Sequence, residues 1–251
     1  MIKFDSILGY MENTIIDKKR VEAMFKAGAH FGYSKMRRHP SVKSFILGVK
    51  NKTEIFDLEK TEKSLEKVKD FVKTLASEKK KILFVGSKKE ASRIIEESVL
   101  SLNLPFVSGR WIGGTLTNYE EIKKRVSRLQ RLENEKEKGL LAKYTKKERL
   151  LIDREIEKLT AKFSGLVLMD NLPSALFIID PKKESIALAE AVEKNIPIIA
   201  LANSDCDISK IAYPIVANDA SRSSIQFFTD EMVSAYNEGK KLKQTEPANL
   251  S

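Results

Sequence analysis

Gly86-Ser87-Lys88-Lys89 stands between an apolar run and a helical pattern. That is where α/β proteins hold phosphate on backbone N–H groups and a helix dipole. The stretch lacks both the P-loop pattern and the three spaced glycines of a dinucleotide turn. It therefore reads as a tight turn whose lysines are solvated or touch a phosphate backbone. Asp205 and Asp207, with Asn203 and Asp180 at nearby strand ends, could hold a hard cation through oxygen ligands, although caps of loops are the commoner use of such side chains. Cys206 lies between Asp205 and Asp207, neighbours that raise a thiol pKa and suppress the thiolate, so it reads as a buried structural thiol. His30 and His39 are the only histidines, and there is neither a GxSxG elbow for acyl transfer nor a zinc-finger spacing. The best-supported chemistry is phosphate neutralisation. Between Ser34 and Lys52, the cations Lys35, Arg37, Arg38, Lys43, Lys50 and Lys52 are interleaved with Pro40, Phe45 and Gly48.

These residues need elements to position them. Runs bounded by Gly, Pro, Asn or Asp predict strands at Ser44–Val49, Glu54–Leu58, Lys81–Val85, Pro105–Val107, Ala175–Ile179, Pro197–Leu201 and Tyr213–Val216. Several are apolar throughout, as strands covered on both faces of a parallel sheet are. Helical patterns fall between them at Thr61–Ser77, Lys88–Leu102, Lys183–Asn195 and Ser221–Glu238, with Thr61 and Asp219 as expected caps. The expected fold is α/β: a doubly wound, mostly parallel, flavodoxin/Rossmann-like sheet.

That alternation breaks after Phe106–Tyr119, FVSGRWIGGTLTNY, which holds the only Trp. Tyr119, Ile122, Val126 and Leu129 recur at spacings of three and four, and so do Ile152, Ile156, Leu159 and Phe163, with charge between them. Two narrow apolar seams predict an inserted antiparallel coiled-coil hairpin turning near Glu137–Leu141, where Gly139 permits the reversal. Arms of that length project roughly 30 Å. On the hairpin, Lys123, Lys124, Arg125, Arg128 and Arg131 are opposed by Glu120, Glu121, Glu133, Glu135 and Glu137, so one face at most need touch an anion. Trp111 reads as a core anchor at the hairpin base, with Arg110 reaching either RNA or a carboxylate of the fold.

The 251 residues carry a formal net charge of +10, which favours an anionic partner and also suits a merely solvated surface. A single cysteine excludes an internal disulfide. No run approaches the eighteen or so apolar residues that span a bilayer, and the first twenty do not form a signal-peptide pattern; no export is expected. The divisions read from the sequence are an N-terminal extension (1–20), an α/β domain (21–112 and 166–239), the hairpin (113–165) and a disordered tail (240–251). The extension carries Ile2, Phe4, Ile7, Leu8, Tyr10 and Met11, enough to dock on a neighbour.

AGAHFGYSKMRRHP at 27–40 and RWIGGTLTNY at 110–119 resemble the bacterial-type small-subunit ribosomal proteins of the S two family. EIFDLEKT (54–61), FVGSKKEA (84–91), LPSALFIIDPKKE (172–184) and NDASRSSI (218–225) continue the likeness in order, over roughly Val21–Glu238. Membership implies a structural rather than enzymatic role in translation, about five parallel strands, and a cytoplasmic, ribosome-associated location. Its implied partners are small-subunit ribosomal RNA between head and body and neighbouring small-subunit proteins, including help in docking ribosomal protein S one. It implies no cofactor, membrane or homo-oligomer. Mapped onto this chain, the expected RNA contacts are the six cations of 35–52 together with Lys88, Lys89, Arg110, Lys123, Lys124, Arg125, Arg128 and Arg222. Tyr33 and the MRRHP stretch depart from the family's usual pattern, keeping its basic character and losing an aromatic. The alternative is a nucleotide- or phosphate-binding doubly wound regulator with a coiled-coil arm.

Overall fold

The computed structural model describes residues 17–244. Expectations for 1–16 and 245–251 lie outside the described residues. The chain forms α1 (Lys18–Lys26), β1 (Phe31–Ser34), β2 (Ile46–Lys50), β3 (Thr53–Phe56), α2 (Leu58–Ser77), β4 (Ile82–Val85), α3 (Lys89–Leu100) and β5 (Phe106–Val107). It continues through α4 (Tyr119–Glu137), α5 (Lys146–Phe163), β6 (Ala175–Ile179), α6 (Ser185–Glu193), β7 (Ile198–Ala202), β8 (Tyr213–Val216) and α7 (Arg222–Gln244).

Five strands make a wholly parallel sheet in the order β5-β4-β6-β7-β8. β4, β6 and β7 are buried at every residue, which is why their sequences show no polar alternation. Successive side chains point to opposite faces, so Ile82, Phe84, Phe177 and Ile179 join a core with α2, α3 and α7, while Leu83, Val85, Leu176 and Ile178 join one with α6, Trp111 and the base of α4 and α5. The sheet is thus covered on both sides, and its order reverses direction between β4 and β6, the switch point of a flavodoxin-like sheet.

Two expected strands belong elsewhere. Ser44–Val49 and Glu54–Leu58 supply β2 and β3 of a separate antiparallel sheet, ordered β1-β3-β2, whose first strand the sequence reading left unassigned. The cause is the two-residue connection Asn51-Lys52, with φ of 50° and 66°, which can only join antiparallel neighbours.

Helix ends also differ from expectation. Asp57, not Thr61, caps α2, accepting from the N–H groups of Glu59 at 3.1 Å and Lys60 at 3.5 Å. Thr61 lies inside the helix and donates to the Val216 carbonyl at 2.7 Å. At α7, Asn218 accepts from Ala220 and Ser221, while Asp219 turns inward. α7 also runs through Gly239 to Gln244 rather than stopping near Glu238. Gly239 is a packing position: a Cβ there would lie 2.4 Å from the Lys73 carbonyl of α2.

α4 and α5 run antiparallel, as Arg128–Glu155 (3.0 Å) and Lys136–Asp153 (2.7 Å) require. Ile122, Val126, Leu129 and Leu132 of α4 are buried. Between the helices Gly139 takes a left-handed φ of 69°, and Thr145 with Glu148 forms a capping box that starts α5.

Candidate nucleic-acid interface

The carboxyl ends of the parallel strands, where such sheets bind ligands, are filled by the protein's own charges. Lys88 Nζ lies 2.7 Å from Asp180 Oδ2 and 3.0 Å from Asp219 Oδ2. Asn203 Nδ2 donates to Asp219 Oδ1 at 2.8 Å, and Glu184 takes Ser87 N at 2.9 Å and the Ser87 hydroxyl. Burial acts to lower the Lys88 pKa, but Asp219 and Asp180 outweigh it, and the ammonium is held well above its usual range. Lys88 is therefore turned inward, against the expectation of an outward RNA contact.

The expected cation pair does not converge either. Asp205 is paired with Lys182 at 2.8 Å, and Asp207 accepts from the Ser209 hydroxyl at 2.6 Å. The ligand atoms that do converge, within 4.8 Å, belong to Asp180, Cys206 and Asp219, and Lys88 supplies positive charge to both carboxylates. Cys206 is fully buried, and its thiol is pushed up to about 12 by burial and then by Asp219 and Asp180. The direction agrees with the sequence reading, with different acids as the main charged neighbours.

Arg38 also serves the fold. It pairs at 3.1 Å with Glu54, a fully buried carboxylate on β3. Around it Lys35, Arg37, Lys43, Lys50 and Lys52 are exposed, with Arg37 5.4 Å over the Tyr33 ring. Lys50 and Lys52 flank or form the β2–β3 turn, whose protrusion into solvent follows from the exposure of Leu47–Lys52.

On α4, Lys123, Lys124 and Arg128 line a shallow groove of about 540 Å³ with Ser127, Arg131 and Glu120. Lys124 pairs with Glu121 at 2.5 Å and Arg128 with Glu155, whereas Arg125 is exposed without an ion pair among the described residues. Lys89 lines a second shallow groove with Ser87, Ser92 and Arg93. Its helix, α3, begins without a side-chain cap. Arg110 and Arg222 are exposed, and neither meets a carboxylate among the described residues.

Trp111 is the anchor expected, and its partner is one the sequence reading missed. Its Nε1 donates to Glu190 Oε1 at 3.1 Å, and the same carboxylate accepts from the N–H groups of Gly114 (2.8 Å), Leu116 (2.9 Å) and Thr117 (3.1 Å). Burial alone would raise the Glu190 pKa; the Leu116, Trp111, Gly114 and Thr117 donors outweigh it and hold the carboxyl below its usual range. The available signal was Glu190 set among Leu188, Ala189, Ala191 and Val192 in the α6 sequence SIALAEAVE, whose other acid, Glu193, stands at the helix end.

The molecule is thus a doubly wound parallel sheet with an ion cluster at the carboxyl ends of its strands and exposed cations on its outer elements. The sequence profile of the family described as Ribosomal protein S2 matches residues 24–239. The Small ribosomal subunit protein uS2 of Dictyoglomus thermophilum is 41% identical over 226 residues, covering 90% of this chain and 92% of that protein. The chain belongs to the ribosomal protein S2 family, and with it to the structural constituents of the ribosome rather than to enzymes. Among the described residues no helix is long and apolar enough to cross a membrane.

Proposed function

We propose that the protein binds small-subunit ribosomal RNA between head and body, as a ribosome-associated component in the cytoplasm, through outward cations on two separated elements. One is the β2–β3 turn with Lys50 and Lys52, supported by Lys35, Arg37 and Lys43; the other is the α4 face with Lys123, Lys124 and Arg125. The observation that carries this reading is the division of labour among cations. Lys88 and Arg38 are spent on internal carboxylates, while these others face solvent. Exposed cations neutralise phosphates and release counterions; buried, paired ones do not. Lys89, Arg110, Arg128 and Arg222 extend the same surface. The α4–α5 pair acts as a coiled-coil arm (113–165) on the α/β domain (21–112 and 166–239), offering its other face to neighbouring small-subunit proteins and supporting the docking of ribosomal protein S one.

The test is sucrose-gradient fractionation of lysate with the chain quantified against a known small-subunit protein. Near-stoichiometric comigration that survives a moderate salt wash, with ultraviolet crosslinks to small-subunit RNA from β2–β3 and α4, is the expected result. A chain that remains at the top of the gradient overturns the reading.

A further inference from the structure

The loop between Tyr33 and His39 is held at both ends by a single residue. The Tyr33 N–H donates to the Ser204 hydroxyl at 2.9 Å, the His39 N–H donates to the Ser204 carbonyl at 2.8 Å, and Ser204 is fully buried just beyond β7. Within the loop, the Arg38 N–H closes one helical turn on the Lys35 carbonyl at 3.3 Å, and the Arg38 guanidinium is fixed to the buried Glu54 at 3.1 Å. A loop tied at this many points has little ordering left to lose when it enters a complex.

The side chains at its tip are turned outward. Met36 is 96% exposed. Arg37 is exposed, lies 5.4 Å over the Tyr33 ring and has no ion pair among the described residues. The ring thus orients the guanidinium by its quadrupole without neutralising it. A phosphate has no use for a thioether. A nucleobase does, since its flat face stacks on a guanidinium plane and packs against polarizable sulfur. Bases inside an RNA duplex have both faces covered by their stacked neighbours, so the base that meets this tip is an unpaired one. Lys35, exposed beside Met36, supplies charge for an adjoining phosphate.

We infer that Met36 and Arg37 stack an unpaired base of small-subunit ribosomal RNA, with the Tyr33 ring supporting Arg37. The inference rests on the RNA-binding reading and adds a base contact to the phosphate contacts of the β2–β3 turn and α4. It is tested by filter binding of the full chain to small-subunit ribosomal RNA over a salt series. Arg37→Lys keeps the charge and loses the planar group, and Met36→Ala removes the thioether without touching charge. Both sites are exposed, so both variants should unfold in urea at the wild-type midpoint. Each should weaken binding about tenfold at every salt concentration while leaving the slope of log affinity against log salt unchanged. Lys35→Ala should instead lower that slope by about one. Wild-type affinity in either Arg37→Lys or Met36→Ala overturns the inference. A Met36→Ala protein that keeps full RNA affinity yet washes more easily from assembled small subunits assigns the tip to a neighbouring protein, which also overturns it. If the wild-type chain does not bind the RNA, the RNA-binding reading itself fails; if only the variants behave as wild type, that reading stands and the base contact alone is lost.

Discussion

Trp111 Nε1 and Glu190 Oε1, 3.1 Å apart, tie the loop that launches α4 to a helix on the sheet. Because the same carboxylate collects three backbone N–H groups, it fixes the Gly114–Thr117 turn and hence the start of α4. Glu190→Ala strands these buried donors together. It should cost about 3 kcal/mol, at the upper end for an unsatisfied buried group, whereas Trp111→Phe, which removes one donor and keeps the ring, should cost about 1 kcal/mol. Urea denaturation gives both values.

The acid dependence of stability follows from the same carboxylate. Its folded-state pKa is depressed, so its contribution is present above the unfolded carboxylate pKa of about 4.3 and is lost as pH falls through the lower folded value. The stability gap between wild type and Glu190→Gln should be constant from neutrality to about pH 5 and shrink below about pH 4. Urea melts across that range check it.

Lys88→Met leaves Asp180 and Asp219 facing each other without a counter-ion. A loss of about 3–5 kcal/mol is expected, and adding Asp219→Asn should restore part of it. A Lys88→Met protein as stable as wild type, but weakened in RNA binding, would return Lys88 to the interface.

Lys50→Ala, Lys52→Ala and Arg125→Ala remove exposed cations and should leave stability within about 0.5 kcal/mol of wild type. Each should lower the slope of log affinity for small-subunit RNA against log salt by about one. Arg38→Ala should do the reverse, leaving the slope unchanged and destabilising the fold through the stranded Glu54. Filter binding over a salt series separates the two classes.

Cys206 should resist iodoacetamide at pH 8 in the native protein and react fully in urea, because burial and two aspartates keep it a thiol.

The parallel sheet was legible because Ile82–Val85, Ala175–Ile179 and Ile198–Ala202 are buried on both faces and so read as unbroken apolar runs. The antiparallel sheet was not placed. Its turn, Asn51-Lys52, has no glycine to announce it, and β2 is largely exposed, so the segment carried no inward stripe. α1 escaped notice because only Met24 of its nine residues is buried. For the candidate interface, cations could be proposed from the sequence, but the directions in which they point could not. Lys88 and Lys89 are neighbours in sequence, yet one meets aspartates from the ends of β6 and β8 and the other faces solvent. Adjacency along a chain does not encode which carboxylates the fold will bring close. The same limit hid Glu190, whose donors lie more than seventy residues upstream.

The Lys88 cluster also bears on how the chain is made. Its three charges come from the ends of β4, β6 and β8, so a nascent chain halted before residue 213 exposes the edge of β7 and holds Lys88 with one of its two acids. α7, which covers α2 and α3, emerges later still. Synthesis must therefore reach α7 before the α2–α3 side of the sheet has its full core.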